Sequence, residues 1–185
     1  MRHAREESMD ATDLLNQRIA NFRAPSPGVS RCADELRARG FKVCSMEDLA
    51  RDLSTRADEP IDREGATLAE LLDEITGRNP GYVWTTAQAD LINVYPAGSV
   101  LDEKVGELSV EGKGVYRILK EDLGIAKYGV SLFDELTSGD GPPVDLRLES
   151  ADLREALNQI VGRIGSTVWH ISGRPGAYWL TITGI

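Results

Sequence analysis

The chain has 185 residues, with 41% hydrophobic and 28% charged content, the proportions of a globular protein rather than a disordered one. Its 21 Lys and Arg against 30 Asp and Glu leave a net charge of −9, a balance that opposes nucleic-acid phosphates and anionic lipid. No apolar run reaches transmembrane length, so no direct membrane insertion is expected.

The opening MRHAREESMD is charged and lacks the apolar core of a secretory signal, and residues 1–17 are expected to form a flexible tail. Arg18–Ala24 reads as a strand ended by Pro25–Gly28. From Val29 the spacing turns helical, with Val29, Cys32, Ala33 and Leu36 on one side and Gly40 as the stop. Phe41–Cys44 is a short strand. Ser45 is then expected to cap a second helix carrying Met46, Leu49, Ala50 and Leu53, with a loop over 54–59. Cys32 and Cys44 fit neither a CxxC motif nor a closed zinc site. They are either buried free thiols or, in an oxidising compartment, a disulfide.

After the short extended piece Pro60–Asp62, Thr67 and Glu70 have the spacing of a capping box. Leu68, Leu71, Leu72 and Ile75 then make a buried stripe, and Gly77 suits a left-handed helix stop. Tyr82–Thr86 and Leu91–Tyr95 read as a hairpin, and Pro96–Ser99 as a linker. Val105–Val110 is a strand, Gly114–Leu123 a helix, Gly129–Phe133 a strand, and Thr137–Pro143 a loop. Val144–Leu148 alternates cleanly. Asp152 caps the next helix with Glu155 three residues on, and Leu153, Ala156, Leu157, Ile160 and Ile164 form its stripe. Gly162 and Gly165 lie near its end. Two final strands, containing Trp169 and Trp179, close a hairpin around Gly173–Gly176.

Ala66–Trp84 aligns without gaps to Ala151–Trp169, with nine of nineteen positions identical. The shared positions cap, pack and stop helices; they include Leu72 with Leu157, Gly77 with Gly162 and Trp84 with Trp169 as matched pairs. The pattern predicts an α+β protein of two tandem related halves, 18–97 and 104–184. Each half is expected to read strand, helix, strand, strand, helix, strand, strand. Units of about 80 residues are marginal alone, so the halves should lean on each other.

Motifs of chemistry are sparse. His3 lies in the tail, and His170 has no Cys, Asp or second His at ligand spacing. No G-x-S-x-G elbow and no phosphate-binding glycine loop is present. Gly173–Gly176 has the G-x-x-G form of an RNA-clamping loop, but between two strands it reads as a turn. Carboxylate pairs such as Asp73 with Glu74 fall on polar helix faces. The residues therefore predict no cofactor, no metal and no enzyme. One placement stands apart: Tyr178, Leu180 and Ile182 share a face with Trp169 and Ile171 opposite, which turns His170 and Trp179 outward near Arg174. Trp and Arg are enriched at interface hot spots. Either this trio is a partner-binding patch or the two halves pack there and cover Trp179.

The phrase VDLRLESADLREALNQIVGRIG, with its shorter version at Ala66–Gly77, resembles the short N-terminal domain shared by secretins and TonB-dependent receptors. The resemblance spans both halves. It implies helices held between small sheets, a periplasmic place and docking to another protein, an envelope component. No barrel, plug or secretin core follows within these residues, and no functional residue of the family carries over, because the matching positions are structural. The expected function is a non-catalytic protein-interaction module. The alternatives are a small-molecule or peptide binder using the groove between halves, and a cytoplasmic location.

Overall fold

The computed structural model describes residues 10–52, 59–88, 90–133 and 140–184. The protein is α+β, with mixed sheets. The expected tail already holds structure: Asp10 caps a short helix α1 (Ala11–Leu15), and Leu14 is buried against the first core. The tail reading therefore fails from residue 10, because Leu14 and, partly buried, Leu15 pack against that core. β1 (Arg18–Ala24) follows as expected, and α2 (Val29–Arg37) buries Val29, Cys32, Ala33 and Leu36.

The expected helix from Ser45 is overturned. Ser45 and Met46 belong to β2 (Lys42–Asp48), and only α3 (Leu49–Asp52) is helical. β2 runs through the middle of a sheet, where Val43, Cys44, Ser45 and Met46 are all fully buried. A strand covered on both faces loses its alternation, and a run of apolar residues then mimics helical spacing. Leu53 and the expected loop at 54–58 lie outside the described residues.

β3 (Ile61–Thr67) is longer than the expected extended piece and pairs antiparallel with β1. Thr67 ends it and begins α4 (Leu68–Arg78). The capping box is complete: the Glu70 amide donates to Thr67 Oγ1 at 3.2 Å, and the Thr67 amide donates to Glu70 Oε2 at 2.8 Å. Those bonds hold the Glu70 carboxyl below its usual range. Leu68, Leu71, Leu72 and Ile75 are buried, each contributing about 1.5–3 kcal/mol. Gly77 is not the stop. It lies within α4, which runs on to Arg78 before Gly81 takes the positive φ.

β4 (Tyr82–Ala87) and β5 (Leu91–Pro96) form the expected hairpin, and a 3-10 turn at Val100–Asp102 leads to β6 (Lys104–Gly114). α5 (Val115–Arg117) widens into a π-turn over Ile118–Asp122, so the expected helix there is irregular. β7 (Val130–Leu132), β8 (Pro143–Asp152), α6 (Leu153–Ile164), β9 (Thr167–Arg174) and β10 (Ala177–Gly184) complete the chain. The Asp152 carboxylate caps α6 through the Glu155 amide at 2.8 Å. The Glu155 side chain accepts from Gln159 instead of closing a box.

Six strands form one sheet in the order β4-β5-β2-β9-β10-β7, flanked by the antiparallel ribbons β1-β3 and β6-β8. In the first part of the chain β4 is antiparallel to β5, and β5 is parallel to β2. In the second part β9 is antiparallel to β10, and β10 is parallel to β7. The pairings correspond strand for strand. The two parts meet where β2 runs parallel to β9, with Ser45 beside His170 and Met46 beside Ile171. Alternate residues of β2 and β5 feed two cores. Val43, Ile92 and Val94 join α2 and α4 on one face; Cys44, Met46, Leu91 and Tyr95 join α6 on the other. Cys32 and Cys44 therefore lie in separate cores, free and buried, with burial pushing each thiol up to about 12.

Candidate functional site

The β9-β10 hairpin carries the three residues singled out in the sequence. Its register sets Trp179 opposite Ser172, His170 opposite Thr181, and Arg174 opposite Ala177. Period-two alternation places His170, Ser172, Arg174, Trp179 and Thr181 on one face. On the other face Trp169, Ile171 and Leu180 are fully buried and Tyr178 nearly so. Gly173 is required at the turn, where a Cβ would lie 2.3 Å from the Ala177 carbonyl oxygen.

Trp179 is not covered by the other described residues. It is 52% exposed and packs edge-on against Phe133, itself 47% exposed, with ring centroids 6.4 Å apart and an interplanar angle of 84°. Ser172 and Thr181 complete a shallow hollow of about 250 Å³ between them. Arg174 is exposed at the neighbouring turn. Phe133 escaped the sequence reading, although its signal was present: in GVSLF, Val130 and Leu132 alternate inward, which sends Ser131 and Phe133 to the Trp179 face. Its backbone amide donates to the Leu180 carbonyl at 3.0 Å, holding it beside β10.

His170 shares the face but not the exposure, and its place in an open trio is corrected. β2 and α2 cover it. Its Nδ1 lies 2.9 Å from Ser45 Oγ, and Arg37 Nη2 donates to the same oxygen at 2.7 Å. With Arg37 supplying a donor to Ser45, the hydroxyl proton is free to point at Nδ1, which fits a neutral ring. Burial first, and then the Arg37 guanidinium, push His170 down to about 4. A hydroxyl bonded to an imidazole has the form of a nucleophile-base contact, but Ser45 is fully buried and out of reach of a substrate. The cluster instead ties α2 to the junction of β2 with β9.

The matched residues of the two parts differ in surroundings. Trp84 Nε1 donates to Asp73 Oδ1 at 2.8 Å, and Trp169 Nε1 donates to Asn158 Oδ1 at 2.8 Å. Yet Trp84 is half-buried and Trp169 fully buried. Leu157 and Ile160 pack beside Trp169 in the second core. Gly162 lies in the last turn of α6 and Gly165 ends it, as expected; a Cβ at Gly162 would meet the Gln88 side chain at 2.5 Å, and Gln88 Nε2 donates to the Asn158 carbonyl. Across the same junction Arg154 reaches the Tyr95 hydroxyl and stacks on its ring, while pairing with Asp152 at 2.9 Å.

A second hollow of about 270 Å³ opens between the two parts, lined by Asp48, Arg51, Tyr128 and Tyr178 among others. Burial, followed by the Asp48 carboxylate, raises the Tyr178 hydroxyl. Among the described residues no three His, Cys, Asp or Glu side chains group as a metal site, and no helix is long and apolar enough to cross a membrane. No family model matches the chain, and no curated protein or solved structure shows significant similarity to it.

Proposed function

We propose that the protein is a non-catalytic interaction module that docks another protein through the Trp179 face. The observation that carries the reading is the pairing of Trp179 with Phe133: two large aromatic rings exposed side by side at the β10-β7 end of the sheet. Aromatic anchors around a shallow hollow, with an Arg at the rim, have the composition of an interface hot spot. The two parts of the chain are read as copies of one unit, supported by the matched sequence, the corresponding strand pairings and the equivalent Trp84 and Trp169 hydrogen bonds. The resemblance to the short N-terminal domain of secretins and TonB-dependent receptors adds a docking role and a periplasmic place to this proposal.

The test is a tagged pull-down from separate envelope and soluble extracts, repeated with Trp179→Ala. The reading expects a partner lost in the variant while its unfolding midpoint is unchanged. Retention of every partner by the variant would remove the face from consideration.

The hollow bridging Asp48, Arg51, Tyr128 and Tyr178 favours a second reading, a small polar ligand held between the two parts. A ligand there would raise the melting temperature with the logarithm of its concentration above Kd. Tyr178→Phe would weaken that response and leave the Trp179 face untouched.

A further inference from the structure

The β2-β9 junction shows how one part of this chain covers the other, and its chemistry is repeated, unfilled, at the two ends of the sheet. Lys42 pairs with Leu91 and Val43 with Ile92; at the corresponding strands Ser131 pairs with Trp179 and Leu132 with Leu180. Trp179 thus stands where Leu91 stands, and Phe133, one step beyond Leu132, stands where Cys44 stands. Leu91 and Cys44 are buried by the core built on α6. Trp179 and Phe133 have no such cover among the described residues.

The opposite end carries the complement. β4 corresponds to β9, the strand that makes the junction, but among the described residues β4 pairs only with β5 and its other edge is free. Val83 on β4 falls at the position of Val168. Val168 is fully buried, whereas Val83 is 38% exposed. Of the four large apolar side chains exposed among the described residues, only Leu49 lies away from these vacant positions. The helix behind each strand matches too: α6 presents Gly162 to the Gln88 turn, and Gly77 occupies the same place in α4 with open space around it.

We infer that a second copy of this chain docks head to tail, placing its β4 edge and α4 beside β7 and over Trp179 and Phe133, as β9 and α6 sit beside β2 and over Cys44 and Leu91. This rests on the reading of the two parts as copies of one unit, and it names the partner of the Trp179 face. The contact is heterologous, because the two surfaces that meet are different, so it propagates instead of closing on a two-fold axis. Each copy carries a net charge of −9, so screening by salt favours association.

Sedimentation velocity tests it, with the protein taken from about 1 μM to about 1 mM at low and high salt. The wild type is expected to grow in mass with concentration, past the dimer, and more so at high salt. The pair Trp179→Ser with Phe133→Ser blocks one end, and Val83→Lys puts a charge on the other. Each blocked protein alone should remain a monomer, and an equimolar mixture should form one dimer and stop. Circular dichroism and denaturant midpoints check that both remain folded, with Thr86→Lys replacing Val83→Lys if that variant unfolds. A wild type that is monomeric throughout would overturn the proposal. So would a Val83→Lys protein that still dimerises, since that is a two-fold contact of Trp179 faces. A monomeric wild type that captures a different protein through Trp179 would overturn the second copy as partner and leave the docking face standing.

Discussion

The outer faces of β5-β2 and of β10-β7 are built alike and end differently. On β5-β2, Leu91 and Cys44 lie under α6, and Asn93 beside them is buried as well. On β10-β7, the corresponding Trp179 and Phe133 meet each other and solvent. Strand order and register are shared, so neither explains the difference; what covers each face does. A position's burial here is a property of the neighbour that lies over it, and the large aromatic at the uncovered position is the feature on which the proposed docking rests.

Matched substitutions sharpen that comparison. Trp169→Ala should cost about 3–5 kcal/mol in denaturant unfolding, because the ring is fully buried and its Nε1 partner Asn158 would be orphaned. Trp84→Ala, at the equivalent but half-buried place, should cost less than half as much. Equal losses would break the contrast between covered and open ends. Leu157→Ala should cost about 2–5 kcal/mol, and a neutral result would remove α6 from the second core.

The junction also responds to pH. His170 is held neutral, with its pKa pushed down from 6.5 to about 4, so between those values the unfolded chain binds a proton that the folded chain refuses. Stability should therefore fall as pH drops from about 6.5 towards 4. His170→Asn should flatten that slope relative to the wild type, and an unaltered slope would mean the ring is not held by Ser45 and Arg37. The smallest effect expected is at the cap: Thr67→Ala should cost about 1 kcal/mol and shift no property of the β2-β9 junction.

Much of the fold was legible in the sequence. The stripes of α2, α4 and α6 and the Thr67 box depend on residues within a few positions of one another, and they read correctly. The strand assignment of Ser45 and Met46 did not, because both faces of β2 are covered by elements far along the chain. The candidate site divides in the same way. Alternation placed His170 and Trp179 on one face. The contact that withdraws His170 joins residues 125 apart, and no local pattern encodes it. Phe133 was within reach of the alternation that identified Trp179, but its position just beyond a three-residue strand gave that signal little length.

The most direct test of the central claim is the pair Leu91→Ala and Trp179→Ala, measured side by side by equilibrium denaturation at low protein concentration. Leu91→Ala should cost about 2–5 kcal/mol, as for a filled core. Trp179→Ala should stay within about 1 kcal/mol, as for a surface side chain. A comparable loss at both positions would show that Trp179 is already covered within the chain, and the open face would not exist.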